Sequence, residues 1–392
     1  MPRLDLLLVI DNSGSMTRNH ERFAASLTGF LAALAAPLQD GRVLRDLQVG
    51  VISTDLGSPG DRTADCVGRG DDARLNPLAH GASPTPRRDP RCDARPTSDI
   101  VRSDLSAERR SDLLLDLQCQ IAMSPFGCGI EQPLEAARRA LMRRPGDELI
   151  GVKRHICGEI RGTRRGLSDE EDGSIRDCRD EPPGTGMCMD ASDALDIGPS
   201  RWSSADLNLR FYGYSPCGLQ DPTWSVDRYA HPVNTETGLT ASHAAHPERV
   251  VFAAIAGVPL QSPSTPVNWA SLLGRASAQG PDDYCGRETS DLVWTAPDGS
   301  RTSMRPANLD PLCSTRAVPA CYAEGSEFSS GCGTDSRYYA WPGRRLAEVA
   351  RRFDESPRCD GQGCGNGYIA STCAADFGPA MNAIAQRIRR RL

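Results

Sequence analysis

Near the amino terminus, Asp11, Ser13 and Ser15 alternate with Asn12 and Gly14. A tight loop with this alternation can aim one carboxylate and two hydroxyls at a common point. An all-oxygen set of that kind suits a hard cation such as Mg²⁺, which takes near-octahedral oxygen ligands and keeps some of its water. Two of the three side chains are neutral, so the ion stays under-neutralised and remains an acceptor for a further carboxylate. That carboxylate is expected to come from a partner.

The loop needs a rigid base, and the flanking sequence supplies one. Residues 4–10 are an apolar run of strand length, and Phe23, Leu27, Phe30, Leu31 and Leu34 then recur at helical spacing. Residues 47–53 read as a second strand, residues 250–258 as a strand apolar on both alternations, and residues 368–372 as a short strand. Pro133 suits a first helical turn, with Leu134, Ala137 and Leu141 on one face of the helix that follows. Pro342 opens a helix with Leu346, Val349, Ala350 and Phe353 on one face. Asp376 can cap a last helix with Met381, Ile384 and Ile388 inward. Strands alternating with helices predict an α/β fold, a doubly wound and mostly parallel sheet with helices on both faces. In such sheets ligands bind at the carboxyl ends of the strands, which is where residues 11–15 leave the first one. Gly/Pro-rich or charged stretches at about 56–110, 153–166, 179–248 and 259–341 read as insertions into one domain spanning 1–392.

The run Val9-Ile10-Asp11-Asn12-Ser13-Gly14-Ser15-Met16 resembles the metal-ion-dependent adhesion site of von Willebrand factor A (VWA) domains. The order of strands and helices agrees with that family over the chain outside the insertions. The segments 342–353 and 368–388 are similar to those of secreted or lipoprotein VWA proteins of large-genome bacteria. The resemblance implies a VWA fold with Mg²⁺, or Mn²⁺ or Ca²⁺, on the upper edge of the sheet. It also implies two further positions. The family's Thr on a loop before a helix has no counterpart in Gly127-Cys128-Gly129-Ile130-Glu131-Gln132, and Glu131 is the candidate for its slot. Glu131 either ligates the ion, which would make it hold an incoming carboxylate more weakly, or favours the helix N-terminus electrostatically. The family's acidic position after the fourth strand corresponds to Asp169 in Ser168-Asp169-Glu170-Glu171-Asp172, as an acceptor for metal-bound water or else part of a solvated acidic turn.

One stretch departs from the pattern. Residues 153–166 should end a buried strand, yet they hold Lys153, Arg154, His155, Arg161, Arg164 and Arg165, which cannot line one unpaired. An insertion or a sequence lesion before Asp169 is expected. Thr54-Asp55, ending the second strand, either adds a carboxylate behind the metal ligands or caps a turn. His231, His243 and His246 read as solvated, and the arginines from 387 to 391 as a charged helix face.

The chain has 392 residues with a net charge of −6, which gives no general attraction to nucleic acid. It contains 37 Gly and 29 Pro, in keeping with long turn-rich connections. Its 15 cysteines include no Cys-x-x-Cys pair and lie mostly in polar stretches, where disulfides replace missing core. One is expected to close the 56–110 insertion, which holds Cys66 and Cys92. An oxidising location is therefore expected: periplasmic, outer-membrane-associated or extracellular. The chain opens directly into an apolar strand, so an export signal, and with it any lipid anchor, is expected upstream of Met1. No run has the length of a membrane span. The reading is a non-enzymatic adhesion or protein-binding module. Alternatives are an intracellular assembly partner of an AAA-type ATPase or chelatase and, more remotely, a metal-dependent hydrolase.

Overall fold

The computed structural model describes residues 2–13, 16–56, 70–80, 89–95, 98–123, 127, 132–142, 226–230, 238–258, 262–263, 265–269, 272, 292–295, 301–304, 318–322, 337–340, 343–356, 365–372 and 374–392. Ser15, Glu131 and Asp169 lie outside these residues, as do residues 153–166 and most of the insertion expected at 179–248. The chain divides into two compact units. One takes Met1–Asp196, Thr223–Val251 and Asp376–Leu392; the other takes Ile197–Pro222 and Phe252–Ala375.

In the first unit, β1 (Arg3–Ile10) runs parallel to β2 (Asp46–Ser53), from Arg3 opposite Asp46 to Ile10 opposite Ser53. The crossover between them is α1 (Thr17–Ala35), as a parallel pair requires. Of its predicted inner face, Leu27, Phe30, Leu31 and Leu34 are buried and Phe23 is half-buried. Each such side chain contributes about 1.5–3 kcal/mol on burial. A third strand, β3 (Ile100–Ser103), pairs antiparallel with β2, giving the order β1-β2-β3. It falls inside the stretch expected to be an irregular insertion. Ile-Val-Arg-Ser is too short for an alternation to stand out.

Helix α2 (Ala107–Ile121) follows and carries Cys119, which is disulfide-bonded to Cys92. The bond thus ties the 56–110 stretch to a helix beyond it. Helix α3 (Pro133–Met142) begins at the predicted proline. Leu134, Ala136 and Ala137 are buried, but Leu141, expected on the same face, is exposed. The core under α3 joins Ile52, Leu56, Ala73 and Ala136, with Leu7, Val9, Leu75 and Ala140 packed around them.

The first unit is completed by the end of the chain. Helix α5 (Gly378–Arg389) packs on α1, with Met381, Ile384 and Ile388 buried. Asp376 accepts the Gly378 amide at 2.8 Å. The Arg22 guanidinium lies 4.8 Å from the centre of the Phe377 ring, Arg42 donates to the Leu392 carbonyl at 3.1 Å, and Arg389 donates to that of Pro37.

In the second unit, β4 (Phe252–Ala256) runs parallel to β9 (Gly367–Ser371). Helix α4 (Arg344–Asp354) packs on both through Leu346, Val349, Ala350 and Phe353. Phe353 stacks on Phe252 with centroids 5.6 Å apart, and the Trp269 indole N–H donates to Asp354 at 2.9 Å. Gly367 is required by this packing, since a Cβ there would strike the Ala350 carbonyl. Two hairpins, β5 (Leu292–Thr295) with β6 (Arg301–Met304) and β7 (Val318–Tyr322) with β8 (Arg337–Ala340), lie within the 259–341 stretch.

The architecture is α/β, with small mixed and parallel sheets and helices packed on them. Among the described residues no helix is long and apolar enough to cross a membrane.

Candidate metal centre

The carboxyl ends of β1 and β2 lie side by side because the parallel pairing continues past Ile10 and Ser53: the Thr54 amide donates to the Ile10 carbonyl at 3.0 Å. At the end of β1, the Ser13 amide donates to Asp11 Oδ1 at 2.9 Å, an Asx turn that folds the carboxylate over the loop. The Met16 amide then donates to the Ser13 carbonyl at 3.0 Å and leads into α1. His20, in the first turns of α1, sets its Nε2 2.5 Å from the Asp11 carbonyl oxygen. A carbonyl oxygen can only accept, so Nε2 carries the proton of that bond. Asp11 and Ser13 are half-buried.

Asn12, between them, is only 4% exposed. Its Nδ2 donates to Asp71 Oδ2 at 3.4 Å, and its carbonyl accepts the Gly127 amide at 3.1 Å. A Cβ on Gly127 would collide with the Asn12 amide group, so the close approach of the two segments requires glycine there. Asp71 Oδ2 also accepts from the Ser53 hydroxyl at 2.5 Å, and the Asp71 amide donates to the Asp55 carbonyl at 2.9 Å. Ser53, Thr54 and Asp55 are all buried. Burial pushes the Asp71 carboxyl up to about 6; Asp55 adds to the rise, while hydrogen bonds from Ser53 and Asn12 oppose it.

Helix α3 is fastened to the same place. The Gln132 amide, just ahead of it, donates to the Thr54 carbonyl at 3.1 Å. Arg139 reaches Asp72 at 2.5 Å, with the two side chains 5% and 8% exposed. Glu135 is paired with Arg138 at 3.1 Å and Arg228 at 3.0 Å. Burial alone would raise its carboxyl, but the two guanidiniums hold it down at about 2.

Of the sequence-predicted ligands, Asp11 and Ser13 are therefore brought together in one turn. Ser15, Glu131 and Asp169 fall outside the described residues, though Gly127 and Gln132, which bracket position 131 in sequence, bond to Asn12 and Thr54 respectively. The donor set of residues 11–15, one carboxylate with hydroxyls, suits a hard divalent cation. Among the described residues there is no group of three or more His, Cys, Asp or Glu side chains that could hold an ion. Thr54-Asp55, a carboxylate source or a turn cap by its sequence, lies against the Asp71 turn. Sequence reasoning missed Asp71 altogether: Gly70-Asp71-Asp72 reads as one acidic turn among many in a Gly- and Arg-rich stretch. Comparison of the chain with family models, curated proteins and solved structures found no match.

Proposed function

We propose that this chain is a VWA-type binding module that holds one Mg²⁺ or Mn²⁺ ion at Asp11, Ser13 and Ser15 and engages a carboxylate of a protein partner there. The observation that carries the reading is the convergence on one spot of the Asp11–Ser13 turn, the end of β2, and the two residues bracketing position 131. The parallel β1-α1-β2 arrangement puts that spot at the carboxyl ends of the strands, where open α/β sheets bind ligands.

The ion, when bound, supplies an open coordination place for an incoming carboxylate. Asp11 would contribute the charge that retains it and Ser13 and Ser15 neutral oxygens; as the resemblance implies, Glu131 would stand in the slot of the family's threonine and Asp169 would accept from metal-bound water. The Cys92–Cys119 disulfide supports an oxidising location, periplasmic or extracellular.

The test is calorimetric titration of the chain with Mg²⁺ and with Mn²⁺, repeated with Asp11→Ala. Removing the charged ligand should weaken binding at least about a hundred-fold, the scale of losing a charge-assisted contact of about 3 kcal/mol. Equal affinity in the two proteins would end the proposal.

A further inference from the structure

We infer that Asp71 is a positioning residue for the loop at the end of β1, acting through the Asn12 amide to fix the peptide that carries Asp11 and Ser13. Its consequence for metal affinity rests on the function proposed above; its consequence for the loop does not.

The turn that delivers Asp71 is strained. Gly70, Asp72, Ala73 and Asn76 have φ of 53°, 49°, 52° and 51°. Alanine in the left-handed region is unfavourable, and Asp and Asn tolerate it only better than most. Such a run persists where its surroundings over-determine it. Here they do: Asp72 is clamped by Arg139, the Asp71 amide by the Asp55 carbonyl, and the Asn76 amide by the Val51 carbonyl at 2.7 Å. The Asn76 side chain donates in turn to the Ser98 carbonyl at 3.2 Å.

The strain places one carboxylate inward, where Oδ2 accepts from Ser53 and Asn12 instead of facing water. An acid pushed up to about 6 is a costly object to put beneath a loop. Its local effect is on Asn12. That side chain is buried under Gly127, and its Oδ1 has no hydrogen-bond partner among the described residues. The bond from Nδ2 to Asp71 is thus what orients the amide. Asn12 sits between Asp11 and Ser13, so a rotation of its side chain and peptide carries both with it.

The test uses the full chain and two readouts. Amide exchange at Ser13 and Gly127, measured in EDTA, reports the loop; free-ion EPR during Mn²⁺ titration reports affinity. Asp71→Ala should speed exchange at both amides and weaken Mn²⁺ binding, each about ten-fold, the scale of one lost hydrogen bond. Asp71→Asn should bind Mn²⁺ within about three-fold of the natural chain and exchange no faster than it at both amides, because its Oδ1 accepts from the same two donors. Asn12→Ala should reproduce the Asp71→Ala defect, and adding Asp71→Ala to it should change nothing further.

Unchanged exchange in Asp71→Ala overturns the inference. So does an Asp71→Asn as defective as Asp71→Ala, which would mean that charge and not placement matters. Where Asp71→Ala yields no folded chain, unchanged exchange in Asn12→Ala overturns it equally. A natural chain that binds no Mn²⁺ ends the metal reading, while the exchange readout still decides the role of Asp71.

Discussion

Replacing Asp71 by asparagine should stabilise the metal-free protein near neutral pH, and the structure sets the size of the gain. The native chain holds the Asp71 proton until about pH 6, because burial disfavours the carboxylate, while the unfolded chain releases it near 3.8. Between those values the native state binds more protons, so Asp71 contributes stability below about pH 4 that is lost as pH rises through about 6. The full difference corresponds to about 3 kcal/mol, at about 1.4 kcal/mol per pH unit. Partial exposure of the side chain to solvent reduces this to about 1–2 kcal/mol. Asparagine keeps an acceptor for Ser53 and Asn12 but never ionises. Urea unfolding in EDTA at pH 4.5 and at pH 7.5 checks this: the advantage of Asp71→Asn over the natural chain should grow by about 1–2 kcal/mol between the two. A ¹³C titration of the Asp71 carboxyl gives the same quantity directly. An advantage identical at both pH values, or a carboxyl titrating below 4.5, would refute the reasoning.

Other perturbations follow from the same contacts. Gly127→Ala drives a methyl into the Asn12 amide and should destabilise the protein by about 1–3 kcal/mol while weakening Mn²⁺ binding, as thermal unfolding and ion titration would show. Breaking the Cys92–Cys119 bond, which joins residues 27 positions apart, should cost about 3–4 kcal/mol by the loop-closure argument, read from urea unfolding of a Cys92→Ala/Cys119→Ala double variant. Arg139→Ala removes the guanidinium from the buried Asp72 carboxylate and should cost about 3–5 kcal/mol; pairing Arg139→Met with Asp72→Asn should recover most of that.

The elements that bury one continuous face were legible in the sequence. Leu27, Phe30, Leu31 and Leu34 mark α1 because burial at helical spacing leaves a periodic trace, and residues 47–53 and 368–372 mark strands because each holds a short apolar run, Val49-Gly50-Val51-Ile52 and Tyr368-Ile369-Ala370. Asp11 and Ser13 were legible because their contact is local, within three residues. What was hidden depends on chain reversal. Strand β3 is too brief to show a period, and Asp71 reaches Asn12 across 59 positions through a turn whose left-handed residues, Asp72 and Ala73, are not glycines. The partner of Cys92 was equally hidden, since spacing alone does not select Cys119. Leu141 misled because it repeats Ala137 at helical spacing, yet α3 packs there through Ala136 and Ala140 instead.

The order in which the first unit is assembled follows from its last helix. Residues from 252 to 375 belong to the other unit, yet α5, starting at Gly378, covers α1, which starts at Thr17. During synthesis α1 therefore emerges from the ribosome long before α5, a helix that packs on it, exists. A nascent chain stopped before Asp376 lacks the helix that packs on α1 and leaves part of its apolar face open to chaperones or self-association until residues 378–389 emerge.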